Sequence, residues 1–334
     1  MMQRHSTDMP RRKVLGAAGA LGLIAPLGLL THGVQAQTKK KITLAWSQTS
    51  YCHSPIPVAF ERGFFEQNGL QVETLNWAGA ADQLLEALAT SKADVGVGLI
   101  HRWLKPLESG FDVKVVGSVH GGCLRLIGAS GAGVTNIEHL RGKAIGVADL
   151  NSPAKNFFDI HLYKHGIKNV EYRVYPADLL DLAVQKGEIQ AIADGDPNLY
   201  LIEKRNPGKF VELSNSGTGE YADKICCVLA ASGRLVREDR ATAAAVVRSL
   251  VQAAQYTADN PNEAARLFAK YTPKVTEEEL RSLIHATNYA HHPLGRDLRG
   301  EVEYFAQDFR KAGILKTSTD PKRFADVVTA DVLG

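Results

Sequence analysis

The chain has 334 residues, 45% hydrophobic and 22% charged, with 30 Gly, 13 Pro and four Cys, which excludes a disordered chain, a collagen-like fibre and a cysteine-stapled mini-protein. Its length exceeds what one hydrophobic core usually serves, so two lobes are expected. Of 39 basic and 36 acidic residues, Arg4, Arg11, Arg12, Lys13 and Asp8 lie in the first 36 positions; without them the signs balance, which leaves no bulk attraction for nucleic acid or an anionic membrane.

Arg11-Arg12-Lys13 leads into an uncharged apolar run from Val14 to Leu30, followed by the small-x-small pattern Val34-Gln35-Ala36. This is the layout of an export signal over 1–36, and its paired arginines resemble a twin-arginine signal. Cleavage near Ala36 would release a protein into the periplasm; the competing reading is a retained anchor, for which the run is short and Gly-rich.

Strands are then expected at Ile42–Trp46, Leu70–Trp77, Asp94–Gly98 and Val113–Val119. Helices are expected between them, over Pro55–Gln67 with Phe60 and Phe64 one turn apart, and over Ala80–Ser91 with Leu84, Leu85 and Leu88 on one face. The rhythm repeats with strands at Lys143–Val147, Val170–Tyr175 and Ile189–Ala193 and helices at Pro153–His165 and Ala177–Lys186. After Ile225–Ala230 the chain turns helical: Ala241–Ala258, a helix opened by Asn260-Pro261, a capping box at Thr276–Glu279, and a short helix after Asp320-Pro321. Alternating strands and helices imply an α/β fold with parallel strands and right-handed crossovers.

Four stretches in this order carry a resemblance: Ala59–Leu70 (AFERGFFEQNGL), Ala87–Gly98 (ALATSKADVGVG), Ile137–Val147 (IEHLRGKAIGV) and Asn260–Ala265 (NPNEAA). The chain resembles the periplasmic solute-binding proteins of the nitrate/sulfonate/taurine type, a group that also holds binders of pyrimidine precursors of thiamine. The resemblance implies a two-lobed, type II periplasmic binding protein with a parallel-rich mixed sheet in each lobe. Lobe 1 would be 38–124 plus 228–334 and lobe 2 would be 125–227, joined by hinge strands at Cys123–Ile127 and Ile225–Val228. It further implies closure on a small solute and delivery to an inner-membrane ABC permease with its cytoplasmic ATPase, by a monomer without cofactor.

Ligands of open α/β sheets sit beyond the carboxyl ends of strands. That rule selects Ser50, Tyr51 and His53 after the first strand, Gly79 and Ala80 after the second, His101 after the third and His120 after the fourth. It selects Asn151, Ser152 and Asp196 in the second half. Gly79-Ala80 and Asn151-Ser152 open helices, where free N–H groups favour an anion, although Ser152 also reads as a plain N-cap. Histidines and helix ends point to an oxyanion or sulfonate. Tyr51 and Trp103 leave a pyrimidine-like aromatic solute open, and Asp194 and Asp196 would repel an anion.

The cysteines leave several readings open: a disulfide from Cys123 to Cys226 or Cys227, buried free thiols, or a copper or zinc site from Cys52, His53, His120 and Cys123. No Walker A loop, Gly-x-Ser-x-Gly elbow, His-Glu-x-x-His or dinucleotide fingerprint is present, so no enzyme is expected. A sensor module that presents its ligand to a membrane receptor is the remaining alternative.

Overall fold

The computed structural model describes residues 39–77 and 81–334. The expected export signal at 1–36 and the candidate site residues Gly79 and Ala80 lie outside them. Residues 38–334 form one compact unit, and no described helix is long and apolar enough to cross a membrane.

Among the described residues ten strands run in chain order: β1 Lys40–Trp46, β2 Leu70–Asn76, β3 Val95–Leu99, β4 Val113–His120, β5 Leu124–Ala129, β6 Ala144–Val147, β7 Glu171–Val174, β8 Ala191–Gly195, β9 Phe210–Asn215 and β10 Cys227–Ser232. They build two mixed five-stranded sheets, ordered β2-β1-β3-β10-β4 and β7-β6-β8-β5-β9. Each sheet holds one reversed strand: β10 pairs antiparallel with β3 and β4, and β5 pairs antiparallel with β8 and β9. The other pairs, β1 with β2 and β3 and β6 with β7 and β8, are parallel. The expected α/β architecture with parallel-rich mixed sheets is therefore present.

All six residues of β10 are buried. A central strand covered on both faces reads as a continuous apolar run, which is why Cys227-Val228-Leu229-Ala230-Ala231 shows no alternation. Residues 121–123 carry the chain from the last residue of β4 straight into β5, from one sheet to the other.

Two departures from the sequence reading position functional groups. No helix is expected after the strand Asp94–Gly98, yet Ile100–Glu108 forms one and carries His101 in its first turn. Its seat is Gly98: a Cβ there would lie 2.3 Å from the Trp103 ring, so the missing side chain lets Trp103 pack directly against β3. The strand read at Ile189–Ala193 forms as β8, two residues later, which puts Asp194 inside the sheet opposite Arg125 of β5. The capping box forms as read: Thr276 Oγ1 accepts from the Glu279 N–H at 3.3 Å, and the Glu279 carboxylate accepts from the Thr276 N–H at 2.8 Å.

The helix Pro153–Lys164 flanks the second sheet and reaches the helix Gly295–Lys311 through Lys164 Nζ and Asp308, 3.0 Å apart. The Tyr221 hydroxyl donates to the same carboxylate at 2.9 Å. Beside them His161 bonds Ser214 Oγ at 3.0 Å and packs on the rings of Phe157 and Tyr221. Burial, with the Lys164 ammonium adding to it, pushes His161 down to about 4. Its folded value lies below its unfolded one, so it favours folding above about pH 6.5 and loses that contribution as pH falls toward about 4. The protein is expected to lose up to about 3 kcal/mol relative to its His161→Gln variant across that window. Urea titrations of both proteins at several pH values check this, and parallel profiles would clear His161 of the role.

Candidate functional site

Where β1 ends, Tyr51-Cys52-His53 forms one buried turn of 3-10 helix. The Tyr51 hydroxyl meets Thr287 Oγ1 at 2.8 Å. The Tyr289 hydroxyl accepts from Ser54 Oγ at 3.1 Å and donates to the Tyr51 carbonyl at 3.1 Å. These bonds hold the turn against the segment that follows the helix Glu277–Ala286. The Ser47 N–H donates to His53 Nδ1 at 3.2 Å, and His53 Nε2 has no hydrogen-bond partner among the described residues. Burial pulls the imidazole below its ordinary value, against the pull of the adjacent Cys52.

The four cysteines meet at this turn, because sheet pairing brings them there. Cys227, first residue of β10, stands opposite His120, last residue of β4. Cys123 lies between β4 and β5, and Cys52 reaches across from the turn after β1. Cys52 and Cys227 Sγ are 3.7 Å apart, and Cys123 and Cys226 Sγ are 3.3 Å apart. All four are buried free thiols, so the Cys123–Cys226 bridge that the sequence allowed is not formed in this structure. The ligand atoms of Cys52, His120, Cys123 and Cys227 all lie within 4.8 Å of one another.

Neighbouring thiols split the titration of the cluster. Thiols of Cys123 and Cys227 donating to Cys52 hold it well below the usual cysteine range, and His53 and His120 favour the same thiolate. Cys123 is pushed well above that range by its contacts with Cys226, Cys227 and Cys52. Burial opposes protonation of His120, but the adjacent Cys52 more than offsets it and raises the imidazole overall.

The three histidines expected on one mouth do meet the cysteines, each differently. His53 adjoins Cys52 in the chain. His120 donates from Nδ1 to the Gly121 carbonyl, which leaves Nε2 without a partner among the described residues. His101, in the first turn of its helix, contacts Cys226 and is enclosed by the rings of Phe157 at 5.0 Å and Phe305 at 4.7 Å. It is a 1% exposed core imidazole rather than a loop residue.

The remaining candidates are engaged locally. Ser50 Oγ donates to Ser47 Oγ at 3.1 Å. Ser152 is the N-cap of its helix, accepting from the Lys155 N–H at 3.1 Å. Asn151 is exposed and borders a cavity of about 550 Å³ edged by Arg102, Lys105, Lys155 and Asp159. Asp196 meets Arg125 at 3.2 Å and accepts the Tyr200 N–H at 2.9 Å. Burial raises its carboxyl, with Arg125 acting against that rise. Asp194 is pushed up to about 6 by burial, against hydrogen bonds from the Gly195 N–H and the Asn198 amide.

The sequence reading did not single out Thr287, Tyr289 or Arg125. Arg125 is visible afterwards as the one charge within an apolar strand, Leu124–Ala129.

The two halves of the site meet along several contacts. Arg102 reaches Asp149 at 3.0 Å, Asn156 donates to the His101 carbonyl at 3.0 Å, and the Tyr51 hydroxyl feels the Asp196 carboxylate. The carboxyl ends of β1, β3 and β4 and that of β8 therefore face one crossing region between the sheets.

Comparison with known proteins matches residues 50–264 to the NMT1/THI5 like family. A Haemophilus influenzae protein assigned by name to thiamine biosynthesis is 26% identical over 263 residues, covering 76% of this chain and 80% of that protein. A Uromyces fabae protein named 4-amino-5-hydroxymethyl-2-methylpyrimidine phosphate synthase is 26% identical over 209 residues, 60% of either chain. Among solved structures, the alkanesulfonate-binding protein SsuA of Xanthomonas axonopodis pv. citri, bound to MOPS, superposes with a TM-score of 0.71 at 18% identity, over 89% of this chain and all of that one.

The expectation that the chain is no enzyme is overturned by these relatives, one of which bears a synthase's name. The motifs absent from the sequence belong to phosphate, nucleophilic and zinc-protease chemistry. Side chains gathered from separate strands leave no such local signature in a sequence.

Proposed function

Because the chain belongs to the NMT1/THI5-like family, we propose that it is the extracytoplasmic solute-binding component of an ABC-type importer. Its cargo would be a neutral or weakly basic nitrogen heteroaromatic of the aminopyrimidine class, held in the region where the two sheets face each other. The leader at 1–36 would export it, and an inner-membrane permease with its ATPase would take the solute over.

The observation that carries the choice of solute is the charge of that region. Arg125 already meets Asp196, Glu203 and Glu212, and Arg102 meets Asp149. Asp194 and Asp196, at the carboxyl end of β8, would repel a sulfonate or nitrate bound there. A buried carboxyl with a value of about 6 can donate to a ring nitrogen and accept from the adjacent exocyclic amine, a two-point match for an aminopyrimidine. The names of the two curated relatives agree with that class, and this weighs against the oxyanion or sulfonate favoured by histidines and helix ends alone.

The test is a thermal melt against 4-amino-5-hydroxymethyl-2-methylpyrimidine, an alkanesulfonate and nitrate. At about 100 times its Kd the pyrimidine should add roughly 2.7 kcal/mol, a rise of several degrees in Tm, absent in Asp194→Asn. A shift with the sulfonate or nitrate instead would overturn the solute class. Recovery of the pyrimidine chemically altered would replace carriage by catalysis.

A further inference from the structure

We propose that Cys52, His120, Cys123 and Cys227 form a closed, four-coordinate zinc site that fastens the crossing between the two sheets. This does not rest on the importer reading, because the site uses none of the residues assigned to the solute.

Four donors around one zinc, at about 2.3 Å for sulfur and about 2.0 Å for nitrogen, stand roughly 3.5–3.8 Å apart at tetrahedral angles. Cys52 and Cys227 Sγ are already 3.7 Å apart, and the whole set lies within 4.8 Å. The backbone explains the closeness. His120 and Cys227 are cross-strand neighbours, Cys123 follows His120 by three residues, and Cys52 sits on the turn held by Thr287 and Tyr289.

His120 supplies the second, independent observation. It is fully buried, its Nδ1 is occupied by the Gly121 carbonyl, its Nε2 has no hydrogen-bond partner among the described residues, and the ring offers a ligand atom within 4.8 Å of the three sulfurs. A metal-bound histidine characteristically donates its other ring N–H to a carbonyl in this way, which fixes the tautomer and aims the lone pair.

Charge selects the ion. Three thiolates and one neutral imidazole around Zn²⁺ carry a net −1, whereas around Cu⁺ they carry −2, which is costlier to bury in an apolar surround. Binding releases to solvent whatever protons the three cysteines still carry, with no change of oxidation state. With all four positions filled by protein, the ion has no open site for a substrate, so its role is to hold strands. It would join the turn after β1, the end of β4, the start of β5 and the start of β10. Cys226, 3.3 Å from Cys123 and turned toward His101, stays outside the set.

The experiment uses the full chain, reduced under inert gas and stripped of metal. Zinc is expected to bind at one equivalent per chain and to raise Tm by several degrees. Cobalt in its place should give the intense visible bands and thiolate charge-transfer absorption of a tetrahedral site. Cys52→Ser and Cys227→Ser are expected to weaken cobalt binding at least roughly a hundredfold, while Cys226→Ser, equally buried, keeps the spectrum. Circular dichroism reports folding of each variant independently of metal. A folded, reduced wild type that binds neither ion overturns the site. So does a Cys226→Ser variant that loses binding as fully as Cys227→Ser. Uptake of Cu⁺ with no tetrahedral cobalt spectrum overturns the choice of zinc.

Discussion

Gly122→Ala is expected to lose more than about 3 kcal/mol of stability, enough to leave much of the protein unfolded at 37 °C. A Cβ at this position would lie 2.2 Å from the carbonyl carbon of Ser216 and 2.3 Å from the amide nitrogen of Gly217. Both are backbone atoms, so no rotamer change relieves the overlap. The neighbourhood is locked in addition: the Leu124 N–H donates to Ser216 Oγ at 2.8 Å, and the Ser216 N–H donates to the Leu124 carbonyl at 2.9 Å. One methyl group there must part the link from β4 to β5 from the strand end it rests on. Gly131→Ala, which meets nothing within 4 Å, should stay within about 0.5 kcal/mol of the parent. Guanidinium denaturation of the three proteins decides the matter. A Gly122→Ala variant as stable as Gly131→Ala would mean that the two backbones do not approach this closely.

The second large effect belongs to Arg125. Its guanidinium is 16% exposed and meets Glu203 at 2.8 Å, Glu212 at 2.6 Å and Asp196 at 3.2 Å. The gross attraction is partly cancelled by the desolvation of all four groups, so the pairs themselves add little net stability. Removing the cation alone is a different matter, because it leaves Asp196 charged and buried. Arg125→Met is expected to lose about 3–5 kcal/mol at pH 7. The loss should shrink as pH falls toward about 4. Burial already raises the Asp196 carboxyl, and without Arg125 it rises further, so the variant is relieved by protonation. Stability measured at pH 7 and at pH 4.5 for Arg125→Met and for Arg125→Met/Asp196→Asn tests this. A deficit independent of pH, unrepaired by the second substitution, would trace the effect to lost packing instead.

The alternation of strands and helices was readable because parallel strands buried on both faces are short, apolar and bounded by turns. The helix Ile100–Glu108 escaped the reading for a local reason. Leu99 offers no side-chain cap, Pro106 lies in the interior, and Arg102 and Lys105 interrupt the apolar face. The strand Phe210–Asn215 carries no such signal because it is a half-buried sheet edge without a clean alternation.

The rule of carboxyl-terminal strand ends selects Tyr51, His53 and His120, and the structure sets all three beside the cysteine cluster. It could not say that Cys227 would stand beside His120, since that follows from β10 entering the first sheet backwards. Nor could it reach Tyr289, which touches Tyr51 across 238 positions of sequence. Ser152 serves as a helix cap and Asp196 as a salt-bridge partner, contacts that strand-end position alone does not reveal.

The strand order β2-β1-β3-β10-β4 has a kinetic consequence. β10, the last strand in the chain, lies between β3 and β4, so each of these keeps a bare edge until residues 227–232 arrive. The other sheet needs only residues 124–215, a stretch finished before β10 leaves the ribosome. The later-numbered sheet is thus the first that can be completed, and it can then serve as the template beside which the earlier one closes. Pairings across more than a hundred residues are slow to find. During that delay the unpaired edges of β3 and β4, with the thiols of Cys52 and Cys123 still uncovered, are the surfaces most open to wrong partners.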